Sequence, residues 1–382
     1  MRAAGVISLI CLAISGSPAV AQAPTQGVIV AEALLRHAPG PYGGEIALSP
    51  GTAVLVGVCF DRGAYCFVHS GDRTGYVEGH LIEAQGGRMD EIERLRWPRL
   101  DAGAKGALAP EETMIVAWGD SLTAGAGAPV GSDFGSKAEA LFGFARDVDV
   151  EGIGGQNSTA IVARMNAIAT TLSFRGATIP ASGPVEVTSR STTGVTHQGP
   201  SALAGTVCGV LGMLGAQSTD GGQTYAYDFT RATPGDAVPC PDGSEFRFVA
   251  GDQLRKRIAW LWMGTNGADI GHSISGDIAA AVASLGHDRY LVGSLLLGST
   301  FHAARVADVK ATNALLARTY GRRFVDIGAA LAAAGDGSAG DAADVAAGYP
   351  PRSLRVDQLH LNARGYAIVA KAWHDATIEL GF

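Results

Sequence analysis

Charge is scarce in this chain. Only 17% of its 382 residues are Asp, Glu, Lys or Arg, the net charge is −7 and the isoelectric point is near 5.7. A nucleic-acid-binding surface needs clustered Lys and Arg to neutralise phosphates, so no nucleic-acid partner is expected. Cysteine is sparse too, five in all, with no Cys-x-x-Cys spacing, and His272 and His302 belong to no ligand cluster; no metal site is expected. Gly152-Ile153-Gly154 lacks the spaced glycines and the later ribose-binding acid of a dinucleotide fingerprint, so no nucleotide cofactor is expected either. Beyond the N-terminus no apolar run reaches the roughly 20 residues that a spanning helix needs. What the chain does have is apolar side chain, 47% of residues, enough to bury a large core and to form more than one domain.

Residues 1–21 carry Arg2, the apolar stretch Val6 to Ile14 and then Ala19-Val20-Ala21, the order of a secretory signal with a small-residue cleavage site. The apolar stretch is too short for a membrane anchor, and a periplasmic or secreted protein beginning near Gln22 is expected. Without Cys11 the remaining cysteines fall into two local groups, Cys59 with Cys66 and Cys208 with Cys240. Four cysteines permit three connectivities. Each group lies within one expected domain, so two local disulfides are expected.

Short β-type runs separated by turn residues fill residues 27–85: Val28 to Val30, Val54 to Val58, Tyr65 to Val68 and Thr74 to Val77. Their spacing suits a small all-β barrel. Residues 86–112 read as a linker, with Pro98 and Pro110 limiting any long helix. From 113 onward strands alternate with helices, which implies a parallel sheet covered on both faces, with sites gathering at the carboxyl ends of the strands. Residues 171–252 break that rhythm. Val185 to Thr188, Thr206 to Leu211, Tyr225 to Thr230 and Phe246 to Val249 read as strands of an inserted β-domain, where Arg175, Tyr225, Tyr227 and Arg231 either contact a polymer or hold the β-layer together.

The chemistry centres on Gly119-Asp120-Ser121-Leu122-Thr123, which follows the apolar run Met114 to Trp118. By itself this is as much a polar turn as a site. Three later blocks change the reading: Gly152 to Ser158, Gly264-Thr265-Asn266-Gly267 after the run Ile258 to Met263, and Asp357-Gln358-Leu359-His360-Leu361-Asn362. In this order they resemble the SGNH (GDSL-type) hydrolase family from about Met114 to Phe382, its four signature residues mapping onto Ser121, Gly155, Asn266 and His360. The N-terminal unit looks like a bacterial SH3-like domain, with Leu35 to Gly40 as its first loop and Gly75-Tyr76-Val77 in its last strand. The two resemblances imply an α/β fold: a flavodoxin-like, three-layer hydrolase domain over 113–382, interrupted by an inserted β-domain, behind a small SH3-like β-barrel. The family more commonly runs directly from the glycine block to the Gly-Thr-Asn-Gly block, so the insertion is a departure that bears on substrate.

The resemblance also implies roles. His360 takes the Ser121 proton, Asp357 orients the imidazole, and the Ser121 and Gly155 N–H groups with the Asn266 amide form the oxyanion hole. A secreted or periplasmic serine esterase acting on acyl, chiefly acetyl, esters of carbohydrate or peptidoglycan is the leading expectation, with wall material as a ligand for the SH3-like domain. A lipase, a thioesterase or an O-acyltransferase using the same triad are the rivals. No cofactor is needed for any of them.

Overall fold

The computed structural model describes residues 25–31, 33–36, 44–60, 65–70, 73–84, 87–88, 110–129, 131–192, 201–218, 225–267 and 273–382. The expected signal segment and most of the expected linker lie outside these. Among the described residues, no helix is long and apolar enough to cross a membrane.

Five strands form the sheet that carries the site: β1 (Ile115–Gly119), β2 (Val148–Gly152), β3 (Ile258–Trp262), β4 (Tyr290–Gly293) and β5 (Phe324–Val325), in the order β2-β1-β3-β4-β5. All four pairings are parallel. This order places a topological switch point beside β1, where its neighbours β2 and β3 leave a crevice at the carboxyl edge. Every residue of β1 and β3 is buried, as strands covered on both faces must be.

Successive side chains of these strands serve opposite layers. Ile115 and Ala117 of β1 and Trp260 and Trp262 of β3 face one layer, where α1 (Phe134–Leu141) and the C-terminal helix α7 (Ala363–Glu379) dock. Trp373 of α7 stacks on Trp260 at 5.2 Å, and the Trp260 Nε1–H donates to Thr377 Oγ1 at 3.1 Å. Val116, Trp118, Ala259 and Leu261 face the other layer, built from α2 (Ser158–Arg164), α3 (Ile274–Leu285) and α4 (Ala303–Tyr320). Each large apolar side chain fully buried this way contributes about 1.5–3 kcal/mol.

Helix starts follow their caps. α1 begins at Phe134, because the Asp133 carboxylate accepts from the Ser136 N–H (3.0 Å) and so fixes the first turn. The Ala/Gly/Asp-rich stretch after Val325 forms α5 (Ile327–Ala332) and α6 (Ala339–Ala347), capped by Asp326 and Ser338.

Between α2 and β3 the strands Thr170–Phe174, Pro184–Arg190, Ser201–Val207, Val210–Ser218, Tyr225–Arg231 and Ser244–Phe248 close into an antiparallel barrel. Phe174, Leu214, Phe229, Phe246 and Phe248 belong to its buried core. The run Thr206 to Leu211, expected as one strand, is instead a tight hairpin: Val207 pairs with Val210 across Cys208 and Gly209, whose φ values are 49° and 77°. Positive φ at both central residues gives the turn whose twist matches that of the flanking strands. Cys208 is joined to Cys240 by a disulfide.

The four side chains weighed as polymer contacts have neighbours within the β-domain, and Arg175 stays largely exposed. The Arg231 guanidinium donates to the carbonyls of Pro180, Thr233, Gly235 and Asp236, Arg175 pairs with Glu186, Tyr225 packs against the barrel core, and Tyr227 is 4% exposed.

At the N-terminal end, eight short strands between Thr25 and Arg88 form one sheet around a core of Ile29, Val54, Val56, Val68, Val77 and Ile82. Its register sets Cys59 opposite Cys66 on neighbouring antiparallel strands. The side chains of these two cysteines lie outside the described residues.

Candidate active site

Each loop leaving the carboxyl edge near the switch point delivers one site residue. Ser121 follows β1, Gly155 follows β2 and Asn266 follows β3. Close approach explains the glycines here: a Cβ on Gly152 would stand 2.2 Å from the Ala124 backbone nitrogen, so only glycine lets the β2 end lie against the serine loop. Gly155 sits at φ 75°, where a side chain would be strained.

Asp357 and His360 come from the far end of the chain, on a short loop pinched between Arg355 and Leu361, which form an isolated antiparallel bridge. The Val356 N–H donates to the His360 carbonyl at 2.9 Å. Beyond it the Asn362 side chain accepts from the Arg364 and Gly365 N–H groups and starts α7. Arg355 braces the loop from behind, donating to Asp344 Oδ2 (2.8 Å) and, more weakly, to the Asp357 carbonyl (3.4 Å).

The three side chains form one hydrogen-bonded line. His360 Nδ1 lies 2.8 Å from Asp357 Oδ2, and His360 Nε2 lies 2.9 Å from Ser121 Oγ. An ionised carboxylate only accepts, so Nδ1 carries the proton and Nε2 is left to accept the Ser121 O–H. Asp357 Oδ1 accepts from the Leu359 and His360 N–H groups, both at 2.7 Å. Partial burial pushes this carboxyl up, but the hydrogen bonds from the His360 ring and the two backbone N–H groups outweigh it and hold Asp357 below the ordinary carboxylate range. It stays ionised across neutral pH.

Donors for a developing oxyanion are also in place. Among the described residues the Ser121 and Gly155 N–H groups donate to no protein acceptor. The Asn266 amide donates one N–H to the Gln156 carbonyl at 3.1 Å, which fixes its plane and leaves its second N–H uncommitted. A backbone bridge between Asn157 and Asn266 brings the β2 and β3 loops alongside one another.

Asp120 lies in the Gly119-to-Thr123 block without an expected role of its own, and Tyr366 and Arg164 carry no signature in the sequence, yet each holds this arrangement. The buried Tyr366 hydroxyl donates to the Ala126 carbonyl at 2.9 Å, tying the serine loop to the helix that follows His360. Asp120 is 1% exposed, with Oδ1 accepting from the Leu122 N–H at 3.0 Å. Burial raises its carboxyl from 3.8 to about 7, opposed by backbone hydrogen bonds and by the nearby His360. Folded protein therefore holds this proton where unfolded chain has lost it. The stabilisation is full below about pH 3.8 and is lost as pH rises through about 7. Asp120→Asn is expected to remove a stability slope of up to about 1.4 kcal/mol per pH unit over that window. Denaturant melts of both proteins at several pH values check this; parallel slopes would contradict it.

No protein-family model and no curated protein matches the chain in sequence. Solved structures of similar shape do exist. One, from Veillonella parvula DSM 2008, is a member of the lipolytic G-D-S-L family, 14% identical, matching 69% of this chain and 97% of its own at a TM-score of 0.38. The lipase/acylhydrolase from Enterococcus faecalis is 11% identical, with 69% and 94% covered and a TM-score of 0.38. An SGNH-hydrolase family esterase is 15% identical, with 72% and 98% covered and a TM-score of 0.31. At these identities and TM-scores the chemistry has to be read from this chain's own residues.

Proposed function

We propose that this protein is a secreted or periplasmic SGNH-type serine esterase that removes short acyl groups, acetyl foremost, from a carbohydrate or peptidoglycan polymer. The observation that carries the esterase reading is the unbroken line from Asp357 through His360 to Ser121, with uncommitted N–H donors on the neighbouring loops. Ser121 Oγ attacks the ester carbonyl while its proton passes to His360 Nε2; the carbonyl oxygen becomes an anion held by the Ser121 and Gly155 N–H groups and the Asn266 amide. His360 then protonates the departing alcohol. Water, deprotonated by the same nitrogen, releases the acid and restores Ser121.

The substrate part has separate support. The His360 and Asp357 side chains remain 27% and 49% exposed, so the base sits at the protein surface and suits an ester presented by a bulky alcohol. Residues 1–21 have the pattern of an export signal, and the SH3-like unit expected from the sequence of residues 27–85 would bind wall material.

Acetate release from acetylated xylan and from O-acetylated peptidoglycan tests this reading, with p-nitrophenyl esters of increasing chain length beside them. Polymer deacetylation with a preference for acetyl over octanoyl esters is the expected result. A preference for long chains would make the protein a lipase or thioesterase, and transfer to an added sugar without net acid release would make it an acyltransferase.

A further inference from the structure

The Arg164 guanidinium lies beneath the loops of the site. Arg164 closes α2 and is 1% exposed. Its Nε donates to Gln156 Oε1 at 2.8 Å, Nη1 to Glu151 Oε2 at 3.2 Å, and Nη2 to the Glu151 carbonyl at 2.9 Å and, more weakly, to the Gly119 carbonyl at 3.4 Å. Its guanidinium carbon also stands 5.4 Å from the centre of the Trp118 ring.

Each contact leads to an oxyanion donor. Gly119 ends β1, just ahead of Asp120 and Ser121; Glu151 lies near the end of β2, ahead of the loop to Gly155; and the Gln156 carbonyl is the acceptor that orients the Asn266 amide at 3.1 Å. One buried cation therefore bears on all three loops. A charge in that position is costly to desolvate, and an apolar side chain of similar volume would avoid the cost. A guanidinium offers instead five donors in a rigid planar fork, a geometry that lysine lacks.

We propose that Arg164 is a positioning residue that sets the spacing of the three oxyanion donors. The proposal rests on the esterase reading and deepens it, assigning the geometry of the hole to a side chain that touches no substrate. Arg164→Lys keeps a positive charge but loses the fork, so the loops relax relative to one another. A displacement of about 1 Å at a reacting centre typically lowers the rate about a hundredfold.

The test uses the full chain and two readouts: the rate at which a fluorophosphonate probe labels Ser121, followed by intact mass, and the kinetics of p-nitrophenyl acetate hydrolysis. Phosphonylation also develops charge on an oxygen in the hole, so it reports the hole whatever the natural ester is. Arg164→Lys is expected to lower both the labelling rate and kcat by about a hundredfold, with KM changed by less than about threefold. Gln156→Ala, which removes the acceptor for Nε, is expected to lose about tenfold. Either change is expected to cost much less in an Asn266→Ala background, because the donor it helps to place is then gone.

A folded Arg164→Lys protein with wild-type rates, or one altered in KM alone, would overturn the proposal. If that variant does not fold, Gln156→Ala and Asn266→Ala decide: losses that multiply independently overturn it, and losses smaller than the product support it. Wild-type protein that takes no label on Ser121 would overturn the esterase reading and this proposal together. Labelled wild type with unaffected variants would overturn this proposal alone.

Discussion

Replacing Ser121 by alanine is expected to abolish ester hydrolysis, lowering kcat by more than about ten-thousandfold, while the protein melts at the wild-type temperature. The rate falls because no other hydroxyl or thiol stands against His360 Nε2 among the described residues. Stability should hold because the loop is fastened by other groups. The Ala124 N–H donates to the Asp120 carbonyl, the Ala126 N–H donates to the Ser121 carbonyl, and the Tyr366 hydroxyl grips the Ala126 carbonyl, each at 2.9 Å. None of these bonds uses the serine side chain. Initial rates and a thermal melt of the two proteins decide the matter; a variant that keeps most of its turnover would show that the nucleophile lies elsewhere.

Asp357→Asn is expected to cost about a thousandfold or more in kcat with little change in KM, although it removes only a charge. The geometry explains why. Asp357 Oδ2 accepts from His360 Nδ1, while Oδ1 is anchored by two backbone N–H donors. An asparagine keeping its carbonyl oxygen on those backbone donors turns its NH₂ toward Nδ1. The imidazole then has to accept at Nδ1 and carry its proton on Nε2, the nitrogen that must receive the Ser121 proton. The base is present but in the wrong tautomer. The variant should regain rate as pH rises and hydroxide begins to substitute for the base. A wild-type rate at neutral pH would mean that Asp357 does not orient the histidine.

The parts of this site that are legible in the sequence are those where local pattern and chemistry coincide. Met114 to Trp118 and Ile258 to Met263 read as buried strands, and the residues after them, Ser121 and Asn266, lie at the carboxyl edge because a parallel sheet puts every such loop there. The Asp-x-x-His spacing is also local, since three residues is the span over which one carboxylate reaches both the backbone N–H groups and the imidazole of its own turn. The supports are not legible. Arg164 is a charge at the end of a short helix, and nothing in its neighbours tells that its acceptors include the carbonyls of Gly119 and Glu151 on two strands. Tyr366 lies in the last helix, and nothing local tells that its hydroxyl meets Ala126 from the other end of the domain. Thr206 to Leu211 has the composition of one strand, and the turn within it depends on positive φ at Cys208, which residue preference does not announce. Helix α6 is built from small residues with little propensity contrast, and its clearest local signal is the Ser338 cap.

The most direct measurement is to stop the reaction of the wild-type protein with p-nitrophenyl acetate in acid during the first turnovers and map any acetyl adduct by peptide mass spectrometry. An acetyl group on Ser121, absent from Ser121→Ala, is the result this account requires. Turnover that leaves Ser121 unmodified, or an adduct that persists on another residue of the alanine variant, would contradict it.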